Sequence, residues 1–121
     1  MVVVVASFAF FFLPKELDAP PQIVPRSALD AKKIVIIEAA FRHGINAQRF
    51  LQTAKCESSL RPGVIGDDGN SVGAFQIHLP SHPEVTEEQA KDLEWAAEWS
   101  AKMFKKDPTI WVCYNKLYGR N

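Results

Sequence analysis

The stretch that decides the fold is Cys56-Glu57-Ser58-Ser59-Leu60-Arg61-Pro62-Gly63-Val64-Ile65-Gly66-Asp67-Asp68-Gly69-Asn70-Ser71-Val72-Gly73-Ala74-Phe75-Gln76. It opens at the end of a helical pattern, passes through a turn-rich loop and closes on a short apolar run. Upstream, Asn46 reads as an N-cap, and Phe50, Thr53, Ala54 and Glu57 then share one helix face by i, i+3, i+4, i+7 spacing. Glu57 therefore sits on the apolar side, away from Gln48, Gln52 and Lys55. Arg61-Pro62-Gly63 is expected to end the helix. Residues 63–73 hold four glycines, two aspartates and an asparagine, a composition for tight turns or a short irregular hairpin. The spacing of those aspartates does not fit an EF-hand loop. Ala74-Phe75-Gln76-Ile77 reads as a strand or a helical turn.

Working outward, Ser27-Ala-Leu-Asp30 looks like a capping box, opening a helix with Ile34, Val35, Ile37, Ala40 and Phe41. Gly44 supplies its left-handed C-cap. Downstream, residues 78–83 form a proline-containing connector. Thr86-Glu-Glu-Gln89 is a second capping box, and Asp92 caps a helix running to about Lys106. That helix turns Leu93, Ala96, Ala97, Ser100, Met103 and Phe104 inward. Trp95 and Trp99 are an i, i+4 pair on its flank, read as packing residues ahead of a sugar platform. Asp107-Pro108 breaks the helix, and Thr109 is expected to cap a last one carrying Trp111, Tyr114, Leu117 and Tyr118. The fold class is all-α, with four or five short helices and a loop or short β-hairpin after the second.

Residues 1–13 are uncharged and almost wholly apolar. The run is shorter than the ~20 residues of a spanning helix but matches the apolar core of a signal peptide. Export or membrane attachment is the expectation, and a buried N-terminal strand is the alternative. Residues 14–26 follow as a linker, with four of the eight prolines between 14 and 25, and 27–121 form the folded domain. With 121 residues, one domain is expected. Fourteen basic and fourteen acidic residues give zero formal charge, which argues against a nucleic-acid partner. Two cysteines, Cys56 and Cys113, allow one disulfide or two buried thiols. A zinc site joining them to His78 and His82 is disfavoured, because Pro80 keeps the histidines off a common helix face. No metal or cofactor is expected, and all three histidines are read as surface or loop residues.

Glu57 is the candidate for the chemistry. A carboxyl at a helix C-terminus and on an apolar face is disfavoured as an anion by both the macrodipole and desolvation. An acid held protonated in this way can protonate a glycosidic oxygen. The ordinary alternative is a salt bridge to Arg61, four residues on.

The ordered set Glu57-Ser58, Gly73-Ala-Phe-Gln76 and Tyr114-Asn115 resembles the signature of the lysozyme-like lytic transglycosylases over roughly residues 34–115. The resemblance implies a lysozyme-like fold, α+β at most, with Glu57 as general acid and then base. It implies that Ser58 supports the glutamate or a substrate acetamido group and that Gln76 hydrogen-bonds near the cleavage subsites. Tyr114 is then expected to approach Glu57 from the last helix, with Gly73 and Asn115 structural. Because Tyr114 and Glu57 adjoin Cys113 and Cys56, the resemblance also favours the disulfide. The substrate implied is peptidoglycan, cut between N-acetylmuramic acid and N-acetylglucosamine by an exported, monomeric enzyme. The run Gly66-Asp67-x-Gly69-Asn70-x-x-Gly73-x-x-Gln76 is also similar to that of goose-type lysozymes, where the counterpart of Asp67 helps position the attacking water. A second aspartate of those enzymes is His78 here, which tilts the expected reaction from hydrolysis toward ring closure. The alternatives are a hydrolytic lysozyme, a non-catalytic peptidoglycan-binding module, and a wall-penetrating subunit of a phage or secretion assembly.

Overall fold

The computed structural model describes residues 26–119. The expectations for residues 1–13 and for most of the linker lie outside them. Among the described residues five α-helices carry the fold: α1 (Ala28–His43), α2 (Ala47–Ser58), α3 (Glu87–Lys91), α4 (Leu93–Lys106) and α5 (Val112–Tyr118). Between α2 and α3 lie three two-residue strands, β1 (Ile65–Gly66), β2 (Ser71–Val72) and β3 (Ile77–His78). They form an antiparallel sheet in the order β1-β2-β3, with Ile65 opposite Val72 and Val72 opposite Ile77. The helical class with a small hairpin is as the sequence led one to expect.

Local chemistry sets most of the boundaries. The Ser27 hydroxyl accepts the Asp30 N–H, but Asp30 does not reach back, so the expected box is half made; Gly44 closes α1 at φ 65°. Asn46 caps α2 through the Arg49 N–H, both halves of the Thr86–Gln89 box are made, and Asp92 caps α4. Thr109, however, does not cap the last helix. Asp107 captures the Thr109 N–H and hydroxyl and starts a one-turn 3-10 helix at Pro108–Ile110, which defers α5 to Val112.

Helix α1 packs on α4 and α2, and α2 packs on α5. It buries Ile36, Ala39 and Ala40 and leaves Phe41 76 % exposed. A helix apolar on several faces does not choose its inner face by periodicity. Here the small residues of α4, Ala96, Ala97 and Ala101, are buried and accept close helix contact. Phe50 of α2 is fully buried, stacked on Phe75 at 4.8 Å and edge-on to Phe104 at 5.3 Å. Phe104 in turn meets Trp111 and Tyr114. This aromatic cluster joins α2, the turn at 73–76, α4 and α5, and so fixes the elements that surround Glu57.

Candidate active site

Helix α2 delivers Glu57 by continuing the face on which Phe50, Thr53 and Ala54 are buried. The helix ends earlier than Arg61. Ser59 turns left-handed at φ 54°, donating its N–H to the Lys55 carbonyl, and Leu60 follows at φ 60° with its side chain 1 % exposed. Drawing Leu60 into the core is what turns the chain there. Arg61 Nε then donates to the Ser58 carbonyl at 2.9 Å and does not pair with Glu57. Glu57 is thus free of the salt bridge that was its ordinary alternative.

The carboxyl of Glu57 opens into a groove of about 600 Å³, bordered by Asp67, Ser71, Gln76, His78, Trp111 and Val112. Burial pushes its proton affinity up; the Cys113 N–H, donating to Oε1 at 3.0 Å, works against that, and the nearby Asp67 charge adds to it. The net shift is upward. The groove continues into a smaller side pocket between His78, His82, Trp99 and Ile110. His78 and His82, read from sequence as surface or loop residues, line the groove, His78 exposed and His82 half-buried, and Trp99 reaches it through an edge contact with His82 at 4.8 Å.

The loop that faces Glu57 is strained in a concentrated way. Among the described residues, the five non-glycine positions at positive φ are Ser59, Leu60, Asp67, Asp68 and Gln76. Such backbone persists only where surrounding contacts hold it. Asp67 is exposed and accepts the hydroxyl of buried Ser71. Gln76 donates both amide hydrogens internally, to the Val64 carbonyl at 3.1 Å and the Gly73 carbonyl at 3.0 Å. Its oxygen lies so close to Gly66 that a Cβ there would stand 2.4 Å away. What Gln76 can offer a substrate is that oxygen alone. Gly73 has φ +86°, and a Cβ would fall 1.9 Å from the Ala90 carbonyl oxygen, so α3 packs directly on its backbone.

Ser58 does not support the glutamate directly. It is 3 % exposed, and its hydroxyl is bonded to the Ala54 carbonyl and, at 2.7 Å, to the Ala74 carbonyl. That contact ties the end of α2 to the turn carrying Gln76. Tyr114 makes no hydrogen bond to Glu57: its hydroxyl accepts from Arg49 at 3.4 Å and its ring packs on Phe104. The group from α5 that meets Glu57 is the backbone of Cys113. One residue turns a helix by about 100°, so the neighbour of a contact residue faces elsewhere. Asn115, for which a backbone role was expected, also uses its side chain, which donates to the Thr109 carbonyl at 2.7 Å. Cys56 and Cys113 form a disulfide with Cα atoms 5.9 Å apart; Cys56 is exposed, which overturns the buried-thiol alternative.

The sequence reading missed Ser71, Val112 and the Cys113 amide. Ser71 occupies an unspecified position of the glycine-rich run, and a main-chain donor leaves no mark in residue identity. Comparison with protein families, curated proteins and solved structures finds no match.

Proposed function

We propose that the protein is a peptidoglycan-cleaving muramidase acting on the β-1,4 bond between N-acetylmuramic acid and N-acetylglucosamine, as a lytic transglycosylase. The observation that carries this reading is Glu57: a half-buried carboxyl at a helix end, its proton affinity raised by burial, facing an open groove. The protonated acid donates to the glycosidic oxygen as the bond to the muramic C1 breaks. The resulting carboxylate takes the proton of the C6 hydroxyl as that oxygen bonds to C1. A 1,6-anhydro ring closes, Glu57 is protonated again, and no water is consumed. No second carboxylate is needed, in keeping with His78 lining the groove. The Cys56–Cys113 disulfide accords with an exported protein, since such bonds persist in oxidising compartments.

A hydrolytic reading rests on Asp67, which borders the same groove and whose charge is felt at Glu57. An inverting hydrolase uses a second carboxylate to activate water. Mass analysis of peptidoglycan digested by the protein separates the two. Anhydro-muramic ends are the expected result, reducing ends would make Asp67 the base, and uncut glycan would overturn both readings.

A further inference from the structure

We propose that the Cys56–Cys113 disulfide is a positioning device: it holds the main-chain N–H of Cys113 on the carboxyl of Glu57, and opening it releases that donor. Its effect on activity rests on the reading of Glu57 as the catalytic acid; the coupling itself does not.

The geometry is specific. Cys56 immediately precedes Glu57 in the last turn of α2, and Cys113 lies in the first turn of α5. N–H groups in a first helical turn have no acceptor within their own helix. The residue before α5, Trp111, makes no side-chain cap. Glu57 Oε1 supplies that acceptor from 56 residues away. In return, the donor favours the charged form of a carboxyl that burial and Asp67 push toward the neutral one. An acid that must give up its proton in one step and regain it in the next depends on that opposition.

Besides the bridge, helix α5 is held through Trp111 at its start and through Tyr114, whose ring packs edge-on against buried Phe104. None of its residues is buried. Trp111 anchors its start in the core, and Tyr114 and Tyr118 lie against Arg49. The disulfide is the covalent tie that sets the Cys113 backbone against α2. Cys56 is exposed and so open to a thiol. A dithiol opens the bridge in two steps: one thiolate attacks a cystine sulfur to form a mixed disulfide, and the second displaces it. The protein gains two thiols and the dithiol becomes a cyclic disulfide.

The test compares the full chain before and after dithiothreitol, with the Cys56→Ser/Cys113→Ser double variant as a reductant-free counterpart. Tryptophan fluorescence and far-UV circular dichroism confirm that folded forms are compared. NMR follows the Glu57 carboxyl and the Cys113 amide against pH. In the bridged protein the Cys113 amide should titrate with Glu57 and cease to do so in Glu57→Gln, which requires no opening of the bridge. With the bridge open, the Glu57 midpoint should rise, the alkaline limb of the activity profile should move up with it, and kcat should fall several-fold. A Cys113 amide blind to Glu57, or a Glu57 midpoint unchanged or lowered in the open folded form, overturns the proposal. A shifted midpoint in a protein that leaves peptidoglycan uncut overturns the catalytic reading and leaves the coupling standing.

Discussion

The indole Nε1 of Trp111 donates a 3.0 Å hydrogen bond to the main-chain oxygen of Phe75, joining the start of α5 to the turn that carries Gln76. Both residues are buried, and Trp111 packs against Phe104 at 5.8 Å. The bond therefore connects the two sides of the groove beneath Glu57. Trp111→Phe keeps most of the apolar area but strands a buried carbonyl without its donor. A loss of about 1–3 kcal/mol is expected from urea unfolding. A loss below a few tenths would mean that water replaces the indole.

Glu57→Gln tests the acid. A loss of about 10²- to 10⁴-fold in clearing of cell-wall suspensions is expected, with the fold intact. The same variant carries a stability signature. Because the folded state raises the proton affinity of Glu57, it binds that proton more tightly than the unfolded chain does. The stabilising contribution is complete below the unfolded carboxyl value and is lost as pH rises through the higher folded one. Glutamine does not titrate, so the variant should gain Tm relative to the parent as pH is raised from acid to neutral. Thermal melts at several pH values check this; a constant difference would mean that Glu57 titrates normally.

The features legible in the sequence are those fixed within a few residues. Ser27, Gly44, Asn46, the Thr86–Gln89 pair and Asp92 act on backbone groups three or four positions away, and each stands where the pattern put it. Glu57 was placed correctly on the apolar side of α2 for the same reason. What was not legible depends on distant partners. Leu60 ends α2 early because the core takes its side chain, and Ser58 points to Ala74 because the turn at 73–76 docks there. Tyr114 and Cys113 differ by one helical step, and only the packing of α5 on α2 decides which of them meets Glu57.

Asp67→Asn distinguishes the two reactions without touching the acid. Asp67 raises the proton affinity of Glu57 through its charge, so the variant should lower the Glu57 midpoint slightly. In a transglycosylase the rate at the pH optimum should change by less than about tenfold, since no base other than Glu57 is required. In a hydrolase that uses Asp67 to activate water, the loss should reach about 10²-fold or more. Initial rates on purified glycan strands read the difference directly.

Two glycine substitutions in the loop should separate stability from function. At Gly73 a methyl group meets the Ala90 carbonyl at 1.9 Å, a main-chain atom of α3 that cannot swing aside, and φ is +86°. Gly73→Ala should cost about 2–4 kcal/mol, from the left-handed backbone and the displaced helix together. At Gly66 the backbone is extended at φ −125°, and the obstructing atom is Gln76 Oε1, the end of a side chain. Gly66→Ala should therefore cost less than Gly73→Ala, about 1–2 kcal/mol for the hydrogen bonds lost as Gln76 is pushed off the Val64 and Gly73 carbonyls. If Gln76 orients the glycan, this variant keeps its fold and loses activity. If it keeps its activity at that cost in stability, Gln76 serves only to brace the loop.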